Sequence, residues 1–286
     1  MKVPIFSKIT IIGVGLVGGS LALAARASGV VSKIIGVGRN SENLKQALDM
    51  GAIDGFETDA AAGVSGSDLV VLAGPVGMFN KIAVEIRPHL KAGCLVTDVG
   101  SVKGDLVLKL ESIMPEGVSF IGGHPIAGGS SSGAAFARAD LFEGARFILT
   151  PTTQTPRDEL SRLQEFWGRL GSRVSLMDPY EHDKVFAAVS HLPHLVAYCL
   201  VNTVADRDEV IRNAGRGFLD TTRIASSPPD IWCDIFSMNK NNVLYSLSRF
   251  EEALSDLKAL IECSDFESLK SELTKAKEAR DRLADS

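Results

Sequence analysis

Lys8-Ile9-Thr10-Ile11-Ile12-Gly13-Val14-Gly15-Leu16-Val17-Gly18-Gly19-Ser20 is the stretch that decides the fold. Four β-branched residues, Ile9 to Ile12, halt at Gly13, and small apolar residues resume at helical spacing from Leu16, so the segment reads as strand, tight turn and helix. In that context the glycine pattern is a dinucleotide fingerprint: Gly13 permits the turn, Gly15 lets backbone approach a pyrophosphate, and Gly18 lets the helix pack closely on the strand. The first helical amides, at Leu16 and Val17, then face the phosphates with the positive end of the helix dipole. Lys2 and Lys8 ahead of an apolar run imitate a signal peptide, but the glycines at 13, 15, 18 and 19 break it.

Outward from this segment, short apolar runs alternate with helical stretches: Lys33-Ile34-Ile35-Gly36-Val37, Asp68 to Ala73, Cys94 to Asp98 and Ser119 to Gly122. Such alternation marks βαβ units and a mostly parallel sheet of Rossmann type. Gly144–Thr150 and Arg173–Met177 read as the last strands, flanking a helix at Asp158–Leu170. After Pro179 the strand runs cease. Glu181–Asp206, Asn241–Cys263 and Ser264–Ala284 read as helices, which divides the chain into a dinucleotide-binding domain, residues 1–178, and an all-α domain, residues 179–286. No stretch reads as a transmembrane span. Val185–Val204 is apolar on more than one face, so either its own domain or a partner subunit covers it.

Length and composition agree with two cores: 286 residues, 45% hydrophobic. A net charge of -5 and a pI near 5.6 supply no basic field for nucleic acid. Cys94, Cys199, Cys233 and Cys263 are too widely spaced for a CxxC motif, which fits reduced thiols in the cytoplasm.

An NAD-preferring domain of this type usually ends its second strand with Asp or Glu. Here the chain runs Gly36-Val37-Gly38-Arg39-Asn40-Ser41. Arg39, helped by Ser41, is placed to pair with a 2′-phosphate, which inclines the reading to NADP; Arg39 stacked on adenine, with both cofactors accepted, is the alternative. Gly74-Pro75 and Asp98-Val99-Gly100-Ser101-Val102-Lys103 follow strands whose carboxyl ends line ligand crevices in open α/β sheets, so Gly74, Pro75 and Ser101 join the cofactor set. Ser101 also serves as a candidate for orienting a substrate hydroxyl, or as a helix cap.

Three further clusters carry chemistry that a nucleotide-binding fold does not need for packing. His124, in Gly123-His124-Pro125-Ile126-Ala127-Gly128, ends a strand and is suited to taking a proton from an alcohol as hydride leaves the same carbon. His191 and His194 lie three apart on a helix that Pro193 interrupts, and form a pocket's polar patch or, less well supported by the spacing, a metal site. Arg223, in Asp220-Thr221-Thr222-Arg223, can clamp a carboxylate through its planar fork.

The glycine loop, the Asp98–Lys103 and Gly123–Gly128 segments, Val189-Ser190-His191-Leu192-Pro193-His194 and Asp220–Ala225 together resemble the prephenate and arogenate dehydrogenase family of tyrosine biosynthesis, over essentially the whole chain. The resemblance implies oxidative decarboxylation of prephenate, or of its amino analogue arogenate, with hydride transfer to NAD or NADP. It makes His124 the base and Ser101 the group that orients hydroxyl and nicotinamide. It places Arg223 on the ring carboxylate, His194 on the side chain, and His191 behind it. It also implies a homodimer formed through the helical domain. Many family members continue the histidine motif with Thr-Glu, whereas this chain has Gly129-Ser130-Ser131-Ser132. Ser130 takes that substrate-facing place, the acid that would meet arogenate's ammonium is gone, and prephenate is the expected substrate. The chain's end at Ser286 leaves no segment for a regulatory domain or a fused mutase, so feedback by tyrosine is expected to act by competition at the site. The rival reading is a β-hydroxyacid dehydrogenase, whose catalytic lysine would be Lys184; a cofactor-binding sensor without turnover is a third.

Overall fold

A computed structural model describes residues 3–128 and 133–284. Among them runs an eight-stranded sheet, ordered β3-β2-β1-β4-β5-β6-β7-β8. The strands are β1 Phe6–Ile12, β2 Val31–Val37, β3 Gly55–Glu57, β4 Leu69–Leu72, β5 Leu95–Asp98, β6 Ser119–Pro125, β7 Arg146–Thr150 and β8 Arg173–Leu176. β1 to β6 are parallel; β7 runs antiparallel to β6 and parallel to β8. The helices between them are α1 Leu16–Ser28, α2 Ser41–Asp49, α3 Ala60–Val64, α4 Phe79–Ile86, α5 Gly104–Ile113 and α6 Arg157–Arg169.

Strand periodicity builds the two faces. Ile9, Ile11, Leu69, Val71, Leu95, Ile121, Phe147 and Leu149 point to a core closed by α1 and α6. Ile12, Val70, Leu72, Val96 and Phe120 point to a second core that also takes in Phe79, Ala83, Leu106 and Leu110 of α4 and α5. Because both faces are covered, the strands read as continuous apolar runs rather than alternating ones. Trp167 of α6 stacks on Phe147 with ring centroids 3.7 Å apart and fixes the sheet's far edge.

Beyond β8 the chain is helical: α7 Pro179–Phe186, α8 Leu192–Asn202, α9 Asp208–Ile211, α10 Arg216–Thr222, α11 Pro229–Met238, α12 Lys240–Glu262 and α13 Phe266–Ala284. Asp178 starts α7, its side chain accepting from the Tyr180 and Glu181 amides, with Pro179 in the first turn where its missing N–H costs nothing. The helix expected over 181–206 stops at Asn202 and contains a π turn, Ala187–His191, directly ahead of Pro193. Proline supplies no N–H to the turn before it, and the widened turn accommodates that gap. Taken through the π turn, Pro179–Asn202 is, among the described residues, long and apolar enough to cross a membrane by length and composition, contrary to the sequence reading. It nevertheless carries the buried polar residues His182, Asp183 and His191.

Contacts divide the chain into two compact units, 1–240 and 241–286. The first holds the sheet together with α7 to α11; the second holds α12 from Asn241 onward and α13.

Candidate active site

The cradle comes from β1 and α1. Gly13 has φ +104°, and a Cβ there would lie 2.6 Å from the Ala73 carbonyl carbon and the Gly74 nitrogen at the end of β4. At Gly18 a Cβ would fall 2.0 Å from the Gly13 carbonyl oxygen, so the helix can approach the turn only without a side chain. Gly15 differs: nothing lies within 4 Å of the position its Cβ would take. The open side of Gly15 and its role as a cap without a side chain leave backbone amides facing free space, which fits a dinucleotide pyrophosphate. Asn43 of α2 steadies the loop, donating to the Val14 carbonyl at 2.6 Å and accepting from the Ala134 amide at 2.9 Å. Arg39 and Ser41 are both exposed just beyond β2, with Asn40 capping α2 between them. Gly74 and Pro75 follow β4, and Ser101, half-buried, follows β5.

His124 sits on β6, paired across the sheet with Ile148, and is 8% exposed. Its Nδ1 lies 2.8 Å from Nε2 of His182, whose Nδ1 lies 2.9 Å from Oδ1 of Asp183. That same oxygen accepts from the Lys103 backbone amide at 2.7 Å. Phe186 flanks both imidazoles, edge-on to His124 at 4.8 Å and stacked on His182 at 4.5 Å. Burial, with the nearby His182, Lys103 and His191, holds His124 well below the ordinary histidine range, so its imidazole is neutral at physiological pH. Burial and the Lys103 charge push His182 down to about 2. Asp183 is pushed up to about 6 by burial, against the Lys103 amide and charge.

Beneath Ser101 lies an ion pair with both side chains fully buried: Lys103 Nζ donates to Asp98 Oδ2 at 2.6 Å and to the carbonyls of Gly100 and Val102. Asp98 accepts in turn from the amides of Gly100 and Gly123. The pair therefore binds the Ser101 loop to the strand that carries His124.

The third group surrounds Trp232 of α11. His194 stacks on its indole at 3.6 Å, and His191 meets it edge-on at 6.1 Å. His191 is fully buried, 3.2 Å from Asn239 through Nδ1, and burial takes it down to about 4. Asn239 also donates to the Asp183 carbonyl at 2.7 Å, linking this group to the histidine chain. His194 is lowered by burial and by the charge of Arg223, which is exposed at the end of α10. Ser130 lies outside the described residues. Lys184, the rival reading's catalytic base, is exposed and paired with Glu181 at 3.5 Å.

Sequence reasoning had singled out His124, Ser101, His191, His194 and Arg223. It missed His182, Asp183, Asp98, Lys103, Trp232 and Asn239. Asp98 and Lys103 did lie within a quoted motif, and an acid and a base flanking a glycine loop was the available signal. Nothing in Glu181-His182-Asp183-Lys184 separates its two buried members from two surface ones except their place one turn into a helix whose far end carries His191.

The nucleotide-binding domain of prephenate dehydrogenase matches residues 21–176, and the prephenate dehydrogenase dimerization domain matches residues 178–275. The chain belongs to the prephenate dehydrogenase family. It is 40% identical to prephenate dehydrogenase from A. aeolicus, whose structure in complex with hydroxyphenyl propionate and NAD+ superposes with a TM-score of 0.91 over 97% of this chain and 98% of that one. Synechocystis arogenate dehydrogenase gives 30% identity and a TM-score of 0.81, covering 96% of this chain and 99% of that one. Prephenate dehydrogenase of Bacillus subtilis is 35% identical over 96% of this chain and 76% of its own length. The resemblance drawn from the motifs, and the Rossmann-type sheet with a helical C-terminal part, are thus borne out.

Proposed function

We propose that this prephenate dehydrogenase family member oxidatively decarboxylates prephenate to 4-hydroxyphenylpyruvate, with hydride passing to NAD or NADP. The observation that carries the reading is His124: an almost fully buried imidazole, held neutral by burial, at the carboxyl end of β6 in the same sheet whose β1 ends in a glycine cradle suited to a dinucleotide. A nicotinamide nucleotide bound at Gly13, Gly15, Leu16, Val17 and Gly18 supplies the hydride acceptor. His124 takes the ring hydroxyl proton as the carbon beneath it is oxidised, and Ser101 orients that hydroxyl. The C–C bond to the ring carboxylate then breaks, carbon dioxide leaves, and its electron pair aromatises the ring. The oxygen recovers a proton from the His124 imidazolium. Arg223 holds the ring carboxylate and His194, steadied on Trp232, meets the side chain.

Arg39, with no acid at the end of β2, supports acceptance of NADP alongside NAD. The serine run at 130–132, in place of an acid, supports prephenate over arogenate. A homodimer is supported by the dimerization-domain match and by apolar surface within one chain: only 22% of the most apolar stretch of Pro179–Asn202 is buried, and Leu254, Ile261, Phe266 and Leu273 are each more than half exposed. The four unpaired cysteines support a reducing, cytoplasmic setting.

Initial rates of reduced-cofactor formation, with prephenate and arogenate each tried against NAD and NADP, test the reading. Turnover is expected with prephenate, and His124→Asn should lower kcat by about 10³-fold or more while cofactor still binds. Absence of turnover in every combination, with cofactor bound, would overturn it.

A further inference from the structure

The geometry points to His182 and Asp183 as positioning residues that hold His124 in the tautomer protonated on Nδ1, leaving Nε2 as the atom that receives the substrate proton. This rests on the reading of His124 as the base and adds what makes one of its two nitrogens basic.

The polarity of the chain is set from its far end. The Lys103 backbone amide can only donate, and it donates to Asp183 Oδ1 at 2.7 Å. While Asp183 is ionised that oxygen only accepts, so His182, 2.9 Å away through Nδ1, must be the donor there. A neutral imidazole with its proton on Nδ1 has a lone pair on Nε2. His124 Nδ1, 2.8 Å from that lone pair, must then carry the proton that joins them. The remaining nitrogen of His124, Nε2, has no protein partner among the described residues and is not sealed from solvent. The ionised Asp183 carboxylate, held by one backbone amide, thus dictates which nitrogen of the base is free.

Packing keeps the chain in register. Phe186 covers both rings, and Asn239 holds the Asp183 backbone by donating to its carbonyl at 2.7 Å. The charged and titratable groups facing the chain are Lys103 and Asp98 from the β5 loop, Asp105 from α5 and His191 from the π turn. When His124 takes a proton, the chain ends on a carboxylate that stabilises the new cation across the one intervening ring of His182, a relayed form of the role an aspartate plays directly behind a catalytic histidine in hydrolases.

The test is the protonation pattern of the His124 ring, read by two-bond proton–nitrogen correlation NMR on histidine-labelled full-length protein at pH 7.5. It is paired with steady-state kinetics of His182→Phe and His182→Gln. The wild type should carry the ring proton on Nδ1. Phenylalanine fills the site without an acceptor and should release His124 to the Nε2-protonated form, with kcat lowered about 10²–10³-fold and KM for prephenate changed less than about threefold. Glutamine, whose carbonyl can still accept from Nδ1, should restore most of both. Should His182→Phe fail to fold, the wild-type spectrum decides alone. A wild-type ring protonated on Nε2, or a His182→Phe protein with unchanged tautomer and kcat, overturns the proposal. The spectrum needs no turnover, so an Nδ1-protonated ring in a protein inert toward prephenate would sink the functional reading and leave the positioning role standing.

Discussion

The glycine cradle and the buried histidine–carboxylate chain lie in the same compact unit, yet they are built by opposite means. The cradle is one continuous segment, Ile9 to Ser20, and its shape depends on atoms that are missing: no Cβ at Gly13 or Gly18. The chain draws single groups from β6, α7 and the loop after β5, with partners 58 and 80 residues apart in sequence. A site made from local backbone restrictions leaves a residue pattern that any reader of the sequence can find. A site assembled by tertiary packing leaves only the residues themselves, indistinguishable from their neighbours until the fold brings them together.

If that contrast holds, damage to the assembled site should cost the fold most. Lys103→Met removes the cation from a fully buried pair and leaves Asp98 uncompensated, at a cost of about 3–5 kcal/mol. Chemical denaturation should show the loss, and the Ser101 loop should become more susceptible to proteolysis. A loss below about 1 kcal/mol would mean that the loop is held by other contacts.

The cradle itself should split when its glycines are tested separately. Gly13→Ala meets the Ala73–Gly74 backbone in a left-handed conformation and should cost about 2 kcal/mol of stability. Gly15→Ala meets nothing, so stability should stay within about 0.5 kcal/mol of the parent. NAD binding should still weaken by about tenfold or more, since the added methyl occupies the space a pyrophosphate needs. Equal binding by parent and Gly15→Ala in a fluorescence titration would remove Gly15 from the ligand site.

The same contrast explains what was legible beforehand. β1, α1 and the strands β4 to β8 of a mostly parallel sheet followed from runs such as Asp68–Ala73 and Gly144–Thr150, because a strand covered on both faces writes itself as consecutive apolar residues. The order of the strands and the antiparallel pairing of β7 with β6 did not, since pairing is set by tertiary contact. His124 and His194 were visible through their neighbours: glycine and proline around the first, proline and a second histidine before the other. The π turn was not, because its cause is the local response to Pro193 rather than a residue preference. Nor were Lys103 and Trp232. A lysine in a hexapeptide and a tryptophan on a short helix carry no mark of being buried, and their roles arise only once Asp98 and His194 lie against them.

The finest test of the assembled site is its pH dependence. Burial lifts the Asp183 carboxyl to about 6, while His124 is held well below its ordinary value, so acidification reaches the carboxyl first. Protonated Asp183 no longer obliges His182 to donate, and the polarity that frees His124 Nε2 is lost. The acid limb of kcat should therefore fall near pH 6, about tenfold by pH 5. Asp183→Asn keeps an accepting oxygen without a titrating proton, and should carry that limb to lower pH, at a reduced plateau. The linkage of Asp183 to stability has the opposite sign from that of the buried histidines around it. A carboxyl whose folded value lies above its unfolded one destabilises the fold while ionised, and that penalty is relieved as pH falls from about 6 toward 4. His182 and His191, held down to about 2 and about 4, act the other way and cost stability as pH falls below the ordinary histidine value. Melting curves should therefore show the parent gaining stability relative to Asp183→Asn as pH falls from about 6 toward 4, while the rate declines. An acid limb unchanged in Asp183→Asn would assign the titration to His124 itself and reduce Asp183 to a packing role.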